Sequence, residues 1–548
     1  MSVTDASPQA ATTPDADFPV AFERPGDEAL TWVWDDMHMP FALVPLAVDY
    51  VRTLAAGFNV RYEVLGGFPQ RWQAAIWSGY AYFAVRLDGT EDERAEVLRR
   101  WEETCRAQVD TTGAWWRESA LPELAQLYAR MDSVDPDVLD AAGRAAGWDD
   151  AWTAAARGWA LHFLAIIGPY QVMEDLADAY ERVVPGASPA DAPQLIAGYG
   201  DELFAVEHDL EALAAHAAQN PAVATALRAD DVPSGEALRA VDGGPAFVAE
   251  LERFLAAHGH LGQTFDDLRL PSWIEEPGLV LAEIAKRIDR PAVPAARRRE
   301  RLLRDAAALE AQARTALADR PDDLARFERL LVTARDIGPL TEGHNYHIDR
   351  RIQSHLRRLV TRVARWLVRE GVFDDPDDVF FLTRDEIRDA LVAPEDRRAT
   401  VMARRAEHAR QLTIRPPRVV GREPAASEPA DRFDGARLES GRDDELRGTG
   451  ASAGVVRGTA RVTRSPDDFE RIRPGDIIVC PSSNPSWIPV FAIAGGLVTN
   501  TGGVLSHAAV VAREFGLPAV VGTGDATDRI ADGRQIEIDG TTGIVRLL

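Results

Sequence analysis

Lysine is almost missing from this sequence: of 61 basic residues, Lys286 is the single lysine. ATP sites commonly set a lysine on the phosphates as a point charge. No G-x-x-x-x-G-K-[ST] loop occurs either. The chain is therefore poorly equipped to hold ATP alone. Cysteine is scarce too. Cys105 and Cys480 cannot build a disulfide framework, which fits a reducing cytoplasm. No apolar run reaches about 20 residues, so no segment reads as a membrane span. Positive charge is in deficit, with 87 acidic residues against 61 basic and a formal net charge of −26. That argues against nucleic acid as the main partner, because phosphate backbones need Lys and Arg, and against docking on anionic lipid. The N-terminus lacks the basic, apolar pattern of a signal peptide, and residues 1–20 read as a disordered tail.

What is present divides into two bodies. Residues 21–414 read as one large, mostly α-helical body. Gln353 to Glu370 shows the pattern, with Leu356, Leu359, Val363, Trp366 and Leu367 at helical spacing and arginines between them. Leu302 to Leu317 and Leu203 to Ala218 read alike. Pro185-Gly186, Gly243-Gly244-Pro245 and Pro271 break the helices. Residues 415–445 are rich in proline and charge and read as a linker. Residues 446–548 switch to short β runs, with one helix predicted over His507 to Phe515. This second body is a small α/β domain. It holds ten arginines and ten acidic residues, so the whole net charge sits upstream, and a charge step at a linker supports two separate bodies.

The run from Thr499 to Gly522 carries the clearest chemical logic. A β run ends at Thr499, and Gly502-Gly503 permits a tight turn. Ser506 suits an N-cap, and His507 falls in the first helical turn. Gly516 and Pro518 end the helix. First-turn N–H groups and the helix dipole favour an anion and disfavour a cationic imidazole. A neutral imidazole beside an anion site is what a nucleophile for phosphorus needs.

Gly502, Gly503, Ser506, His507, Val510, Val511, Ala512, Arg513, Gly516, Leu517, Pro518, Ala519, Val520 and Val521 follow a known pattern. The run closely resembles the mobile phosphohistidine domain of the phosphoenolpyruvate synthase, pyruvate phosphate dikinase and rifampicin phosphotransferase superfamily. Leu446 to Gly454 resembles that domain's opening, and Ile538 to Gly543 its closing strands. Asn500 stands where many members carry an acidic residue. The resemblance implies that His507 is phosphorylated and carried between two active sites, with Gly502, Gly503, Ser506 and Arg513 around the phosphate.

Three upstream stretches resemble the acceptor domain of the rifampicin phosphotransferase type: Trp34 to Leu46, Phe254 to Trp273, and Leu340 to Arg350 with Asp374 to Thr383. Relatives often have Arg before the Glu and Lys after it in the third stretch. Here Thr341 and His344 or Asn345 stand instead, which puts the antibiotic as acceptor in doubt. The resemblance makes Trp34, His38, His258, His260, His347 and Arg350 candidates for substrate binding, and Glu342 or His344 the candidate general base. His344 and His347 at i and i+3 share a helix face, but no third ligand is evident in sequence, and no metal is expected.

Neither an ATP-grasp pattern nor the strand–helix alternation of a phosphoenolpyruvate barrel is evident. A carrier and an acceptor domain without an ATP domain resemble the split phenylphosphate synthase arrangement. That implies a separate ATP-grasp subunit supplying ATP and Mg²⁺ chemistry, no cofactor bound tightly in this chain, and a phenolic acceptor converted with release of AMP and phosphate. The alternatives are an antibiotic or other alcohol as acceptor, or a phosphorylatable regulatory module without chemistry of its own. The expected compartment is the cytoplasm.

Overall fold

In a computed structural model, residues 18–548 are described, except 37, 65–69, 88, 188–190, 230–233, 263–266, 290–293, 424–443, 464–465, 484–486 and 492. Most of the tail and most of the linker read from the sequence thus lie outside the described residues. No described helix is long and apolar enough to cross a membrane.

The first body opens with a sheet that helical periodicity does not announce. Strands β1 (Thr31–Trp34), β2 (Gln70–Trp77), β3 (Tyr80–Leu87) and β4 (Val419–Gly421) run in the order β2-β3-β1-β4, all antiparallel. Ser78 and Gly79, with φ of 49° and 82°, make the two-residue turn between β2 and β3. Positive φ at both positions is the hairpin turn that matches strand twist. Alternation sorts the faces: Trp72, Ala74 and Ile76 meet the helical core, while Ala75, Trp77, Tyr80 and Tyr82 bury against Phe18 and Trp32. Strand β4 comes from the segment read as linker. The Tyr82 hydroxyl donates to the Pro417 carbonyl at 2.5 Å, and Tyr80 to that of Ile414 at 3.0 Å. The chain therefore stays fastened to the first body as far as Gly421.

The main core forms around two long helices, Ala141–Ala165 and Arg350–Arg369. Trp148, Trp152 and Trp159 of the first are essentially inaccessible, as are Leu356, Leu359, Val363 and Leu367 of the second. Each such side chain contributes about 1.5–3 kcal/mol by leaving water. A separate core joins the helices Glu202–Gln219, Gly244–His258 and Gly278–Asp289 through Val206, Leu210, Phe247, Leu251 and Ile284. Beneath it, Arg287 and Arg298 hold the fully buried Glu207 carboxylate at 2.9 and 3.2 Å.

The C-terminal domain is one mixed sheet of eight strands. They are β5 (Glu445–Arg447), β6 (Thr449–Ser452), β7 (Val455–Val462), β8 (Ile477–Cys480), β9 (Gly496–Thr499), β10 (Ala519–Val521), β11 (Gln535–Asp539) and β12 (Ile544–Leu547), in the order β5-β12-β11-β7-β8-β9-β10-β6. The stretch β7-β8-β9-β10 is parallel, and β8, β9 and β10 are buried on both faces, as parallel strands generally are. The helix His507–Phe515 packs on one face through Ala508, Ala509, Val511 and Ala512. Across the gap between bodies, Arg298 lies over the Phe515 ring at 4.6 Å.

Candidate active site

His507 sits where the parallel sheet delivers it, after β9, at the first position of its helix. Gly502, at φ +107°, makes the turn that a side chain would strain. Ser506 has the extended backbone of an N-cap, but its hydroxyl donates to the Gly503 carbonyl at 2.8 Å instead of accepting from a first-turn N–H. That differs from the cap expected at Ser506: the tight 503–506 turn offers a nearer acceptor. At the other end Gly516 is left-handed, with φ 69°, and the Leu517 N–H closes onto the Ala512 carbonyl at 2.8 Å.

The helix end faces the first body, and there His507 Nδ1 meets Glu342 Oε1 at 2.5 Å. Side-chain exposures are 12% for His507 and 20% for Glu342, so water screens the pair only in part. Burial pushes the Glu342 carboxyl up, but the His507 imidazole beside it, by charge and hydrogen bond, carries the net value below the usual carboxylate range. The opposite ring nitrogen, His507 Nε2, is buried with no hydrogen-bond partner. A cavity of about 100 Å³ lies between the bodies and is lined by His507, Glu342, Glu202, Tyr346 and Glu514 with apolar residues such as Val206.

Glu514 lies seven residues after His507, two turns on along one helix face. Its Oε2 is also buried without a partner. Burial first, then the Glu342 carboxylate, pushes its carboxyl up to about 8, with Arg513 and Arg298 pulling the other way. Arg513 is buried, donates to the Ala451 carbonyl at 3.0 Å and lines the cavity. Burial pushes its guanidinium down to about 10. It is anchored to the sheet, and no carboxylate is bonded to it among the described residues.

The other sequence candidates divide. Arg350 is buried and lines the cavity. His344 does not line it: its Nδ1 lies 2.6 Å from the Leu340 carbonyl. Burial, then the neighbouring His162, pushes its imidazole down to about 4. His347 reaches the cavity at one remove, its Nε2 3.0 Å from Glu202 Oε1. His258 and His260 both reach Tyr346, the first through Nδ1 at 2.8 Å from the hydroxyl, the second edge-on with ring centres 4.5 Å apart. His258 Nε2 is 3.0 Å from Asp209. Trp34 and His38 belong to the N-terminal sheet: Trp34 donates to the Met39 carbonyl at 3.2 Å, and His38 Nδ1 is 2.9 Å from Asp35. Neither is among the residues lining the cavity.

His344 and His347 do not share a face, because Asn345–Asp349 winds as a π-turn. The wider turn sends the two rings apart and brings Asp349 round instead. Asp349 meets His162 of the helix Ala141–Ala165 at 2.6 Å, and His162 stands edge-on to His344 with ring centres 4.5 Å apart. These three could hold a metal ion, their donor atoms lying within 4.8 Å of one another. Sequence reasoning missed Glu514, Tyr346 and Glu202. Only Glu514 carried a usable signal, its seven-residue spacing from His507.

Residues 472–543 match the mobile domain of PEP-utilising enzymes, and residues 163–342 match the rifampicin phosphotransferase fourth domain. The chain is 30% identical over its whole length to 14% of a chondramide synthase from Chondromyces crocatus. It is 29% identical, over 57% of its length, to 38% of the uncharacterized phosphotransferase YvkC of Bacillus subtilis. It is 32% identical, again over 57%, to 36% of a rifampicin phosphotransferase from Streptomyces sviceus. The chain thus spans well under half the length of each of these curated relatives.

Proposed function

We propose that this chain, a phosphotransferase of the PEP-utilising superfamily with a rifampicin phosphotransferase-like build, passes a phosphoryl group from His507 to a hydroxyl of a small molecule seated between its two bodies. One observation carries the reading: Nε2 of His507 is buried and unbonded at a shared cavity while Nδ1 is held by Glu342 at 2.5 Å. Glu342 keeps the proton on Nδ1, which leaves the lone pair on Nε2 as the nucleophile toward phosphorus. Once Nε2 carries the phosphoryl group, the same contact keeps the ring a phospho-imidazolium. Its leaving group is then neutral imidazole.

The transfer balances simply. The acceptor oxygen forms a bond to phosphorus, the Nε2–P bond breaks, and its electron pair returns to Nε2. The hydroxyl proton passes to an oxygen of the transferred phosphoryl group, because Glu342 is engaged at Nδ1 on the far side of the ring. In a loose phosphoryl-transfer transition state that proton leaves late, so a weak base suffices. Arg350 and Arg513 line the same cavity and offset charge on the moving group. Of the two bases weighed from sequence, His344 is bonded to a backbone carbonyl, and Glu342 acts on the ring by holding Nδ1.

The acceptor we favour is a phenol or a similarly small hydroxyl compound. A cavity of about 100 Å³ is below the ~300–1,000 Å³ that takes drug-sized ligands, which counts against a macrocyclic antibiotic in this pose. Phosphate reaches His507 from a nucleotide-binding unit with Mg²⁺, a separate ATP-grasp subunit in our reading, since Lys286 is the chain's single lysine.

To test it, charge the protein chemically with phosphoramidate, which phosphorylates imidazole nitrogen, and follow ³¹P resonances. Phosphohistidine should form in the wild type, be lost in His507→Ala, and decay faster with phenol than with water, giving a phosphate ester. Equal decay with phenol, aliphatic alcohols and buffer alone would remove the transfer reading. A faster decay with aliphatic alcohols alone would remove the phenolic one.

A further inference from the structure

We infer that His162, His344 and Asp349 form a binding site for a divalent transition-metal ion, buried behind the helix that carries Glu342. The three donors come from separate elements, the long helix Ala141–Ala165, the short helix Leu340–His344 and the π-turn Asn345–Asp349. Their donor atoms already lie within 4.8 Å of one another. Asp349 is 1% exposed and His344 5%.

The His344 ring is also held as a ligand ring is usually held. The His344 Nδ1–H donates to the Leu340 carbonyl at 2.6 Å, which leaves the lone pair on Nε2. Metal-bound histidines commonly give their other N–H to such a carbonyl. His162 offers a nitrogen beside the Asp349 carboxylate, 2.6 Å from its Oδ1.

The donor set selects the ion. Two imidazoles and one carboxylate suit Zn²⁺, Co²⁺ or Fe²⁺, whereas Mg²⁺ and Ca²⁺ take oxygen ligands. Bonds of about 2.0–2.2 Å put tetrahedral ligand atoms roughly 3.3 Å apart. The His162–Asp349 contact must open by about 0.7 Å and the longest separation close by up to about 1.5 Å to reach that spacing, within reach of side-chain rotation. Three protein ligands leave a position for water or another oxygen. The bound ion ties the long helix to the turn two residues from Glu342, and so fixes the carboxylate that holds His507.

The experiment uses the full chain, freed of metal with a chelator and titrated with Co²⁺ and Zn²⁺. One equivalent of Co²⁺ should produce visible d–d bands of a four- or five-coordinate ion, and Zn²⁺ should displace it. His162→Ala, His344→Ala and Asp349→Asn should each weaken binding by more than roughly 100-fold, the upper end of what losing an outer partner of a metal ligand costs. His347→Ala, outside the cluster, should leave it unchanged. Circular dichroism reports whether each variant folds, and the wild-type titration decides even if none does. No stoichiometric Co²⁺ spectrum in the wild type, or one that survives in every folded cluster variant, overturns the site.

Discussion

Raising the pH through 8 drives a charge onto Glu514, and the two bodies should part as it does. The carboxyl titrates at about 8 in the folded protein against an ordinary value near 4.5. A raised acid pKa means that the folded form binds the proton more tightly. Stability is therefore complete below about 4.5 and falls progressively until the folded group ionises near 8, beyond which the loss is constant. At 1.36 kcal/mol per unit, the full difference amounts to about 4–5 kcal/mol, an upper bound because water entering the cavity relieves part of it. Glu342 of the first body is the largest charge raising the value, so separation of the bodies relieves the strain before either unfolds. Glutamine at 514 keeps the shape and cannot ionise. Comparing wild type with Glu514→Gln by fluorescence energy transfer between labels on the two bodies should show a gap that widens from pH 5 to 8 and then levels. A gap that stays flat across that range would show that Glu514 is not buried as a neutral acid.

Glu342→Gln removes a charge-assisted hydrogen bond, worth roughly 1.5–3 kcal/mol. Chemical charging of His507 and transfer from phospho-His507 to phenol should both slow, the transfer by about 10- to 150-fold, as single-turnover ³¹P measurements would show. Gly516→Ala forces a left-handed backbone at a cost of about 1–2 kcal/mol, and its Cβ would come within 2.1 Å of the Arg301 guanidinium. Thermal melts should register the loss, and transfer should slow with it. Glu207→Gln removes the buried carboxylate that Arg287 and Arg298 share, leaving Arg287 with Glu283 alone, at up to about 3–5 kcal/mol. Urea unfolding should show it as a lower midpoint at unchanged slope.

Some of this was readable in the sequence because local rules carry it. The helix over His507 to Phe515 has its turn glycines before it, its left-handed glycine after it and an apolar face that fits one sheet, so pattern and structure agree. Gln353 to Glu370 is as plain: the helix runs Arg350–Arg369 with Glu370 as its cap. The N-terminal sheet was not readable as a sheet. Its strands are separated by a long helix and completed by Val419–Gly421, some 330 residues after β3, and no periodicity links such partners. The cavity was half readable. His507, Glu342, Tyr346 and Arg350 belong to recognisable stretches, but Glu202 comes to them from a separate helix of the first body, and Glu514 joins them only when the two bodies meet. The π-turn misled outright, since i and i+3 counting assumes a regular α-helix, and one widened turn turned His347 toward Glu202 and Asp349 toward His162.

The fastening of β4 to the N-terminal sheet sets a radius. Strand β4 ends at Gly421, and the chain next enters a sheet at Glu445. Those 24 steps of chain, drawn straight, reach about 80 Å. In the proposed transfer, Glu445 can then lie no farther than that from the end of β4, and the site that charges His507 no farther than that plus the span of the C-terminal domain. Loosening Val419–Gly421 from β1 would lengthen that reach and dilute the carrier within it. A short strand at the edge of a sheet thus works as a tether post, and its position governs how far the phosphate can travel.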